Sequence, residues 1–88
     1  MDVTLGKAGL NKTFQREFPE ETRCQHCPEG TARIAFVAHE EGGIENGPYI
    51  CDAHKNEGQG GFWVHDACCV AVYFCRECLR PSALYNQA

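Results

Sequence analysis

Four pairs of metal-ligating residues punctuate this 88-residue chain, and each pair is separated by two residues. They are Cys24 and Cys27, Cys51 and His54, His65 and Cys68, and Cys75 and Cys78. Thiolates and imidazoles are the usual ligands of tetrahedral zinc, and one ion needs four of them. Two side chains at i and i+3 on a tight turn can aim at one ion, so two such pairs close one site. All eight ligands would hold two Zn2+ ions. The outer pairs alone would hold one, in an all-cysteine site.

Spacing leaves the pairing open. A sequential scheme joins Cys24, Cys27, Cys51 and His54 on one ion and His65, Cys68, Cys75 and Cys78 on the other. A nested scheme joins the two outer knuckles, Cys24-Gln25-His26-Cys27 and Cys75-Arg76-Glu77-Cys78. The inner pairs, Cys51-Asp52-Ala53-His54 and His65-Asp66-Ala67-Cys68, then form a mirror pair around the glycine-rich stretch 55–61. A crossed scheme joins the first pair with the third and the second with the fourth.

Composition explains why such a chain needs staples. Small domains bury a small share of their surface and are commonly held by metals or disulfides. The hydrophobic fraction is 43%, but seven cysteines are counted in it. An odd number of cysteines does not fit full disulfide pairing. The start, Met1 to Lys7, carries no apolar core of signal-peptide length. Reduced thiols in the cytoplasm are therefore expected, with the repeated C-x-x-C spacing favouring metal. The sequence also has no apolar run of membrane-spanning length.

The formal net charge is −4, and the eight Lys and Arg residues are scattered rather than clustered. That gives no electrostatic reason to expect nucleic acid, which is bound through concentrated positive charge. Catalysis is not expected either. His39-Glu40-Glu41 has the H-x-E form of zinc deaminases, but no proline precedes the later cysteine pair and the chain is too short for that fold. Closed four-ligand spheres also leave no position for a reactive water. No small-molecule substrate is expected.

The elements that must position the ligands read as a small metal-stabilised β-rich, zinc-finger-like domain with short hairpins and little helix. Thr31 to Ala38 reads as a strand with Ile34, Phe36 and Ala38 on one face. Tyr49-Ile50 and Phe62 to His65 read as short strands, and Cys69 to Phe74 as an apolar strand with Val70, Val72 and Phe74 on one side. Ser82 is expected to cap a final turn through Ala83, Leu84 and Tyr85. Residues 23–88 form the zinc-binding domain. Residues 1–22 form an arm in which Leu10, Phe14 and Phe18 line one face of a short helix, capped by Asn11 and stopped by Pro19. That arm is either frayed or docked through its aromatics on the core or on a partner. Cys69 is expected in the core, Trp63 and Tyr73 as core cover, and His26 and His39 exposed.

Two resemblances accompany these motifs. Residues 24–54 resemble the C-x-x-C, hairpin, C-x-x-C/H unit of zinc ribbons and treble-clef zinc fingers. Trp63-Val64-His65-Asp66-Ala67-Cys68 and Tyr73-Phe74-Cys75-Arg76-Glu77-Cys78 are similar to the aromatic-x-His-x-x-Cys and aromatic-x-Cys-x-x-Cys stretches of RING and PHD fingers, whose ligand pairing is crossed. The expected function is a non-enzymatic structural-zinc module mediating a protein–protein interaction. A nucleic-acid-binding zinc ribbon in transcription or replication is the alternative, and a RING- or PHD-like finger is a second one.

Overall fold

The computed structural model describes residues 1–40 and 67–87. Strand β1 (Asp2–Leu5) leads into a 3-10 turn, η1 (Gly6–Gly9). Then follow β2 (Glu21–Arg23), β3 (Thr31–His39), β4 (Cys68–Cys75) and β5 (Pro81–Gln87). All five strands belong to one antiparallel sheet in the order β1-β3-β4-β5, with β2 pairing β3 beside β1. The expected strands at Tyr49-Ile50 and at 62–65 lie outside the described residues.

Period-two alternation places Cys69, Ala71, Tyr73 and Cys75 on the inner face of β4, all 0–1% exposed. Val70, Val72 and Phe74 do share one side, and it is the outer side. Strand β3 departs from the simple alternation. Its register with β4 shifts between Ile34 and Phe36, so Ala35 is an extra residue. Before the bulge Ala32 and Ile34 face inward, opposite Cys75 and Tyr73; after it Val37 and His39 do, opposite Ala71 and Cys69. The expected common face of Ile34, Phe36 and Ala38 is therefore split. His39, expected to be exposed, is buried, and its Nε2 lies 2.8 Å from Thr4 Oγ1.

The inner face is covered by residues 6–20, which do not form the expected helix over 10–18. After η1 the chain runs as irregular turns, because a helix there would compete with tertiary bonds the segment makes instead. Phe18 N–H donates to Leu10 O at 3.1 Å, Ile34 N–H to Glu20 O at 3.0 Å, and Tyr73 Oη–H to Pro19 O at 2.7 Å. Short isolated helices are marginal in water, so such bonds decide the outcome. Phe18 enters the core, Leu10 packs against it, and Phe14 stays 41% exposed. Gly9 is where this segment lies closest to the sheet: a Cβ there would meet Thr4 O and Val37 Cγ2 at 2.9 Å each.

The expected turn at 82–85 is strand β5 instead. Ser82 is buried, pairs with Tyr73 across the ladder, and accepts a bond from Gln25 N–H at 2.9 Å. A whole strand pairs there because β4 offers a continuous free edge, which outweighs one capping hydroxyl.

Candidate metal centre

The sheet brings the outer knuckles together at one end. Strand β2 ends at Arg23 and releases Cys24. The loop 24–30 closes with Cys24 N–H donating to Gly30 O at 2.9 Å, and β3 departs from Thr31. Strand β4 ends on Cys75, and the chain turns through Cys78 before β5 begins at Pro81. That turn is fastened by Leu79 N–H to Cys75 O and Arg76 N–H to Thr31 O, both 3.1 Å. The pairing of Ala32 with Cys75 thus sets the two knuckles face to face.

The four Sγ atoms of Cys24, Cys27, Cys75 and Cys78 all lie within 4.8 Å of one another. Cys24 Sγ is 3.7 Å from Cys78 Sγ, and Cys27 Sγ is 3.6 Å from Cys75 Sγ. A tetrahedron with metal–sulfur bonds of about 2.3 Å has edges of about 3.75 Å. The cluster therefore fits one tetrahedral ion. These separations are far from the ~2.05 Å of a disulfide, and all six described cysteines carry free thiols.

Of the three pairings the sequence left open, the structure adopts the nested one. Cys68 and Cys75 stand at opposite ends of β4, about 23 Å apart at strand rise. They cannot share an ion, which rules out the sequential grouping of His65, Cys68, Cys75 and Cys78. The crossed grouping fails for the same reason, since Cys24 and Cys27 sit at the Cys75 end. The six residues between Cys68 and Cys75 are the interior of one strand. Cys51, His54 and His65 lie outside the described residues. Cys68 is buried on the outer side of the sheet with Sγ 3.5 Å from Tyr85 Oη, and its N–H donates to Glu40 Oε2 at 2.9 Å.

Backbone donors prepare the sulfurs for negative charge. His26 N–H points at Cys24 Sγ (3.2 Å); Glu77 and Cys78 N–H point at Cys75 Sγ (3.3 and 3.5 Å). Burial alone would raise the Cys24 thiol, yet the N–H groups of His26 and Cys27 and the neighbouring thiols bring it down to about 6. Cys75 is lowered chiefly by the Cys78 N–H, with burial opposing. The second cysteine of each knuckle goes the other way. Cys27 is pushed up to about 12, first by its contact with Cys75 and then by burial. At Cys78 the Arg80 backbone pulls downward, but burial and the Cys75 and Cys24 sulfurs outweigh it. The first cysteine of each knuckle is thus biased toward the thiolate and the second toward the thiol, the usual behaviour of like charges at close range.

A metal ion must displace the protons on Cys27 and Cys78. Uptake near neutral pH is expected to release at least those two protons per ion, so apparent affinity rises with pH through the neutral range. Below about 6, where Cys24 also protonates, a further proton competes and affinity falls more steeply. Calorimetric titration in buffers of different ionisation enthalpy reads the number directly; uptake without proton release would contradict this charge distribution.

Gly30 is essential to the cradle. A Cβ there would stand 2.3 Å from Cys27 Sγ, 2.6 Å from Cys75 Sγ and 3.1 Å from Cys24 Cβ. Leu79 is the other constrained residue. It ends the second knuckle at φ 61°, in the left-handed region, with its side chain 76% exposed. Because that conformation costs a branched residue about 1–2 kcal/mol, Leu79→Gly is expected to stabilise the metal-loaded protein by about 1 kcal/mol in denaturant titration.

No family model, curated protein or solved structure matches the chain. What the geometry defines is a class: a small, strand-rich antiparallel domain with a four-cysteine cluster that could hold a metal ion. Among the described residues no helix is long and apolar enough to cross a membrane.

Proposed function

We propose that the protein is a non-enzymatic structural-zinc module whose sheet face mediates contact with a protein partner. Zinc is favoured at the four-cysteine cluster because its tetrahedral preference and affinity for thiolates suit the sulfur spacing. Four thiolates complete the coordination sphere, so the ion braces the fold and leaves no place for a reacting water. A second ion, held by Cys51, His54, His65 and Cys68, belongs to the same reading.

The observation that carries the protein-contact role is the outer sheet face. The register aligns Val3, Ala38, Val70 and Tyr85 in one row across four strands. Leu5, Phe36, Val72 and Ala83 form the next row, and Phe74 and Pro81 continue it. Val3, Leu5, Phe74 and Tyr85 are 58%, 74%, 45% and 37% exposed. A contiguous apolar patch of this kind marks an interaction surface. Two of the basic residues, by contrast, are paired with carboxylates: Arg33 with Glu21 at 3.3 Å and Glu20 at 3.7 Å, and Lys7 with Glu20 at 3.1 Å.

The test compares Phe74→Glu with the parent chain, both zinc-loaded. Phe74→Glu is expected to keep its metal and lose the protein partner that the parent retains from its native host. Tight binding of generic DNA or RNA at low salt, falling steeply with salt and unchanged by Phe74→Glu, would favour the nucleic-acid reading instead.

A further inference from the structure

The four sulfurs of the cluster differ in exposure. Cys24 and Cys75 are buried, at 5% and 1% exposed, whereas Cys27 and Cys78 are half-buried. Each close contact between the knuckles joins one of each kind. Cys78 Sγ lies 3.7 Å from Cys24 Sγ, and Cys27 Sγ lies 3.6 Å from Cys75 Sγ. An open depression lined by Cys27, Pro28, Glu29, Gly30 and Glu77 brings solvent up to this pair. Gly30 keeps the space beside Cys27 and Cys75 clear, since a Cβ there would run into both sulfurs. Closing either contact to a sulfur–sulfur bond of about 2.05 Å takes a relative shift of about 1.6 Å between two side chains.

We propose that the cluster is also an oxidation site, at which hydrogen peroxide converts the four thiolates to two disulfides across the knuckles, Cys24–Cys78 and Cys27–Cys75. A half-buried thiolate, Cys27 or Cys78, attacks the peroxide and becomes a sulfenic acid, releasing one hydroxide. Its buried partner attacks that sulfur, which forms the S–S bond and expels a second hydroxide. Over both pairs, four thiolates give up four electrons and two peroxides become four hydroxides. No thiolate is then left to hold an ion. The step rests on the zinc reading above, because a bound cation keeps all four sulfurs deprotonated. Pairing across the knuckles, rather than within each C-x-x-C, has a structural consequence. It ties the 24–30 loop to the 75–78 turn, the same two segments that a shared ion would join. Chelation of the reduced chain leaves four thiols and no tie, so the sheet is lost. Oxidation leaves two covalent ties, so the sheet is kept.

The test treats the zinc-loaded full chain with two equivalents of hydrogen peroxide, blocks the remaining thiols in denaturant, and digests with trypsin. Cleavage after Arg23, Arg33, Lys55 and Arg76 divides the four cysteines among peptides 24–33, 56–76 and 77–88. Peptide 24–33 is expected to be linked both to 56–76, through Cys75, and to 77–88, with all the zinc released to a chromophoric chelator. A link from 56–76 to 77–88 that leaves 24–33 unattached overturns pairing across the knuckles. Zinc that is retained, or released with only sulfinic or sulfonic products, overturns the oxidation site. With less than one equivalent of peroxide and dimedone present, adducts are expected on Cys27 or Cys78; adducts confined to Cys24 and Cys75 overturn the order of attack. Far-UV circular dichroism reads the ties. The oxidised chain in excess chelator is expected to keep its β-sheet signal, and to lose it when a thiol reductant is added. Loss of the signal on oxidation itself overturns the disulfides as staples. If the parent binds no metal, the zinc reading fails, while the tryptic map still decides whether peroxide joins these pairs.

Discussion

Cys75→Ser is expected to abolish metal binding and unfold the domain, whereas Cys69→Ser, on the same inner face at the opposite end of β4, keeps both metal and fold. Cys75 is 1% exposed, ends β4, and receives N–H groups from Glu77 and Cys78. A serine there offers a poor ligand, and a structural zinc site contributes about 10–16 kcal/mol of apparent binding free energy. That is as large as the ~5–15 kcal/mol by which ordinary domains are stable. Cys69 is equally buried, and among the described residues its thiol bonds to Asn86, at Oδ1 and the carbonyl. A serine hydroxyl can keep those bonds, so the expected loss is about 1–2 kcal/mol. Thermal unfolding and metal content of the two variants separate the roles. Equal effects would mean that the sulfurs at one end of β4 matter no more than a packed thiol at its other end.

Gly30→Ala should rank with losing a ligand, although it removes no atom. The added methyl would lie 2.3 Å from one sulfur and 2.6 Å from another, and both sulfurs are ligands on short tethers. Contacts under about 3 Å cannot be absorbed by small shifts in packed protein. Either the Cys24–Gly30 loop opens or Cys27 and Cys75 part, and each outcome breaks the tetrahedron. We expect metal affinity to fall by at least about a hundredfold, roughly 3 kcal/mol. A zinc-competition titration with a chromophoric chelator measures it. The control is Gly6→Ala: no atom lies within 4 Å of a Cβ there, though φ is +60°, so only backbone strain is added, far from the site.

How much of this was legible in the sequence follows from which interactions are local. C-x-x-C at 24–27 and 75–78 is a local signature, and both knuckles formed as read. Strands β3 and β4 were legible from alternation and β-branched composition, within one residue at each end. Which knuckles met was not legible, because pairing depends on the register of β3 with β4, a contact between residues more than thirty positions apart. The bulge at Ala35 was equally hidden: nothing in Ile34-Ala35-Phe36 announces an extra residue, yet it turned His39 inward and Phe36 outward. Leu10, Phe14 and Phe18 have helical spacing, but the carbonyls of Leu10 and Pro19 are taken by tertiary donors. Ser82 has the identity of a cap, and an open β4 edge made it part of a strand. Gly30 could be seen as a turn residue; that the turn leaves no room for a methyl is visible only once three sulfur-bearing side chains close around it.

The account stands on one ion at the far end of the sheet holding these few residues in their shape. Native mass spectrometry of the purified chain, with the same sample followed by far-UV circular dichroism through chelation, tests it most directly. We expect at least one zinc per chain, released by chelator together with the β-sheet signal, and absent from Cys75→Ser. A chain that carries no metal, or that keeps an unchanged spectrum after the metal has been stripped, would contradict it.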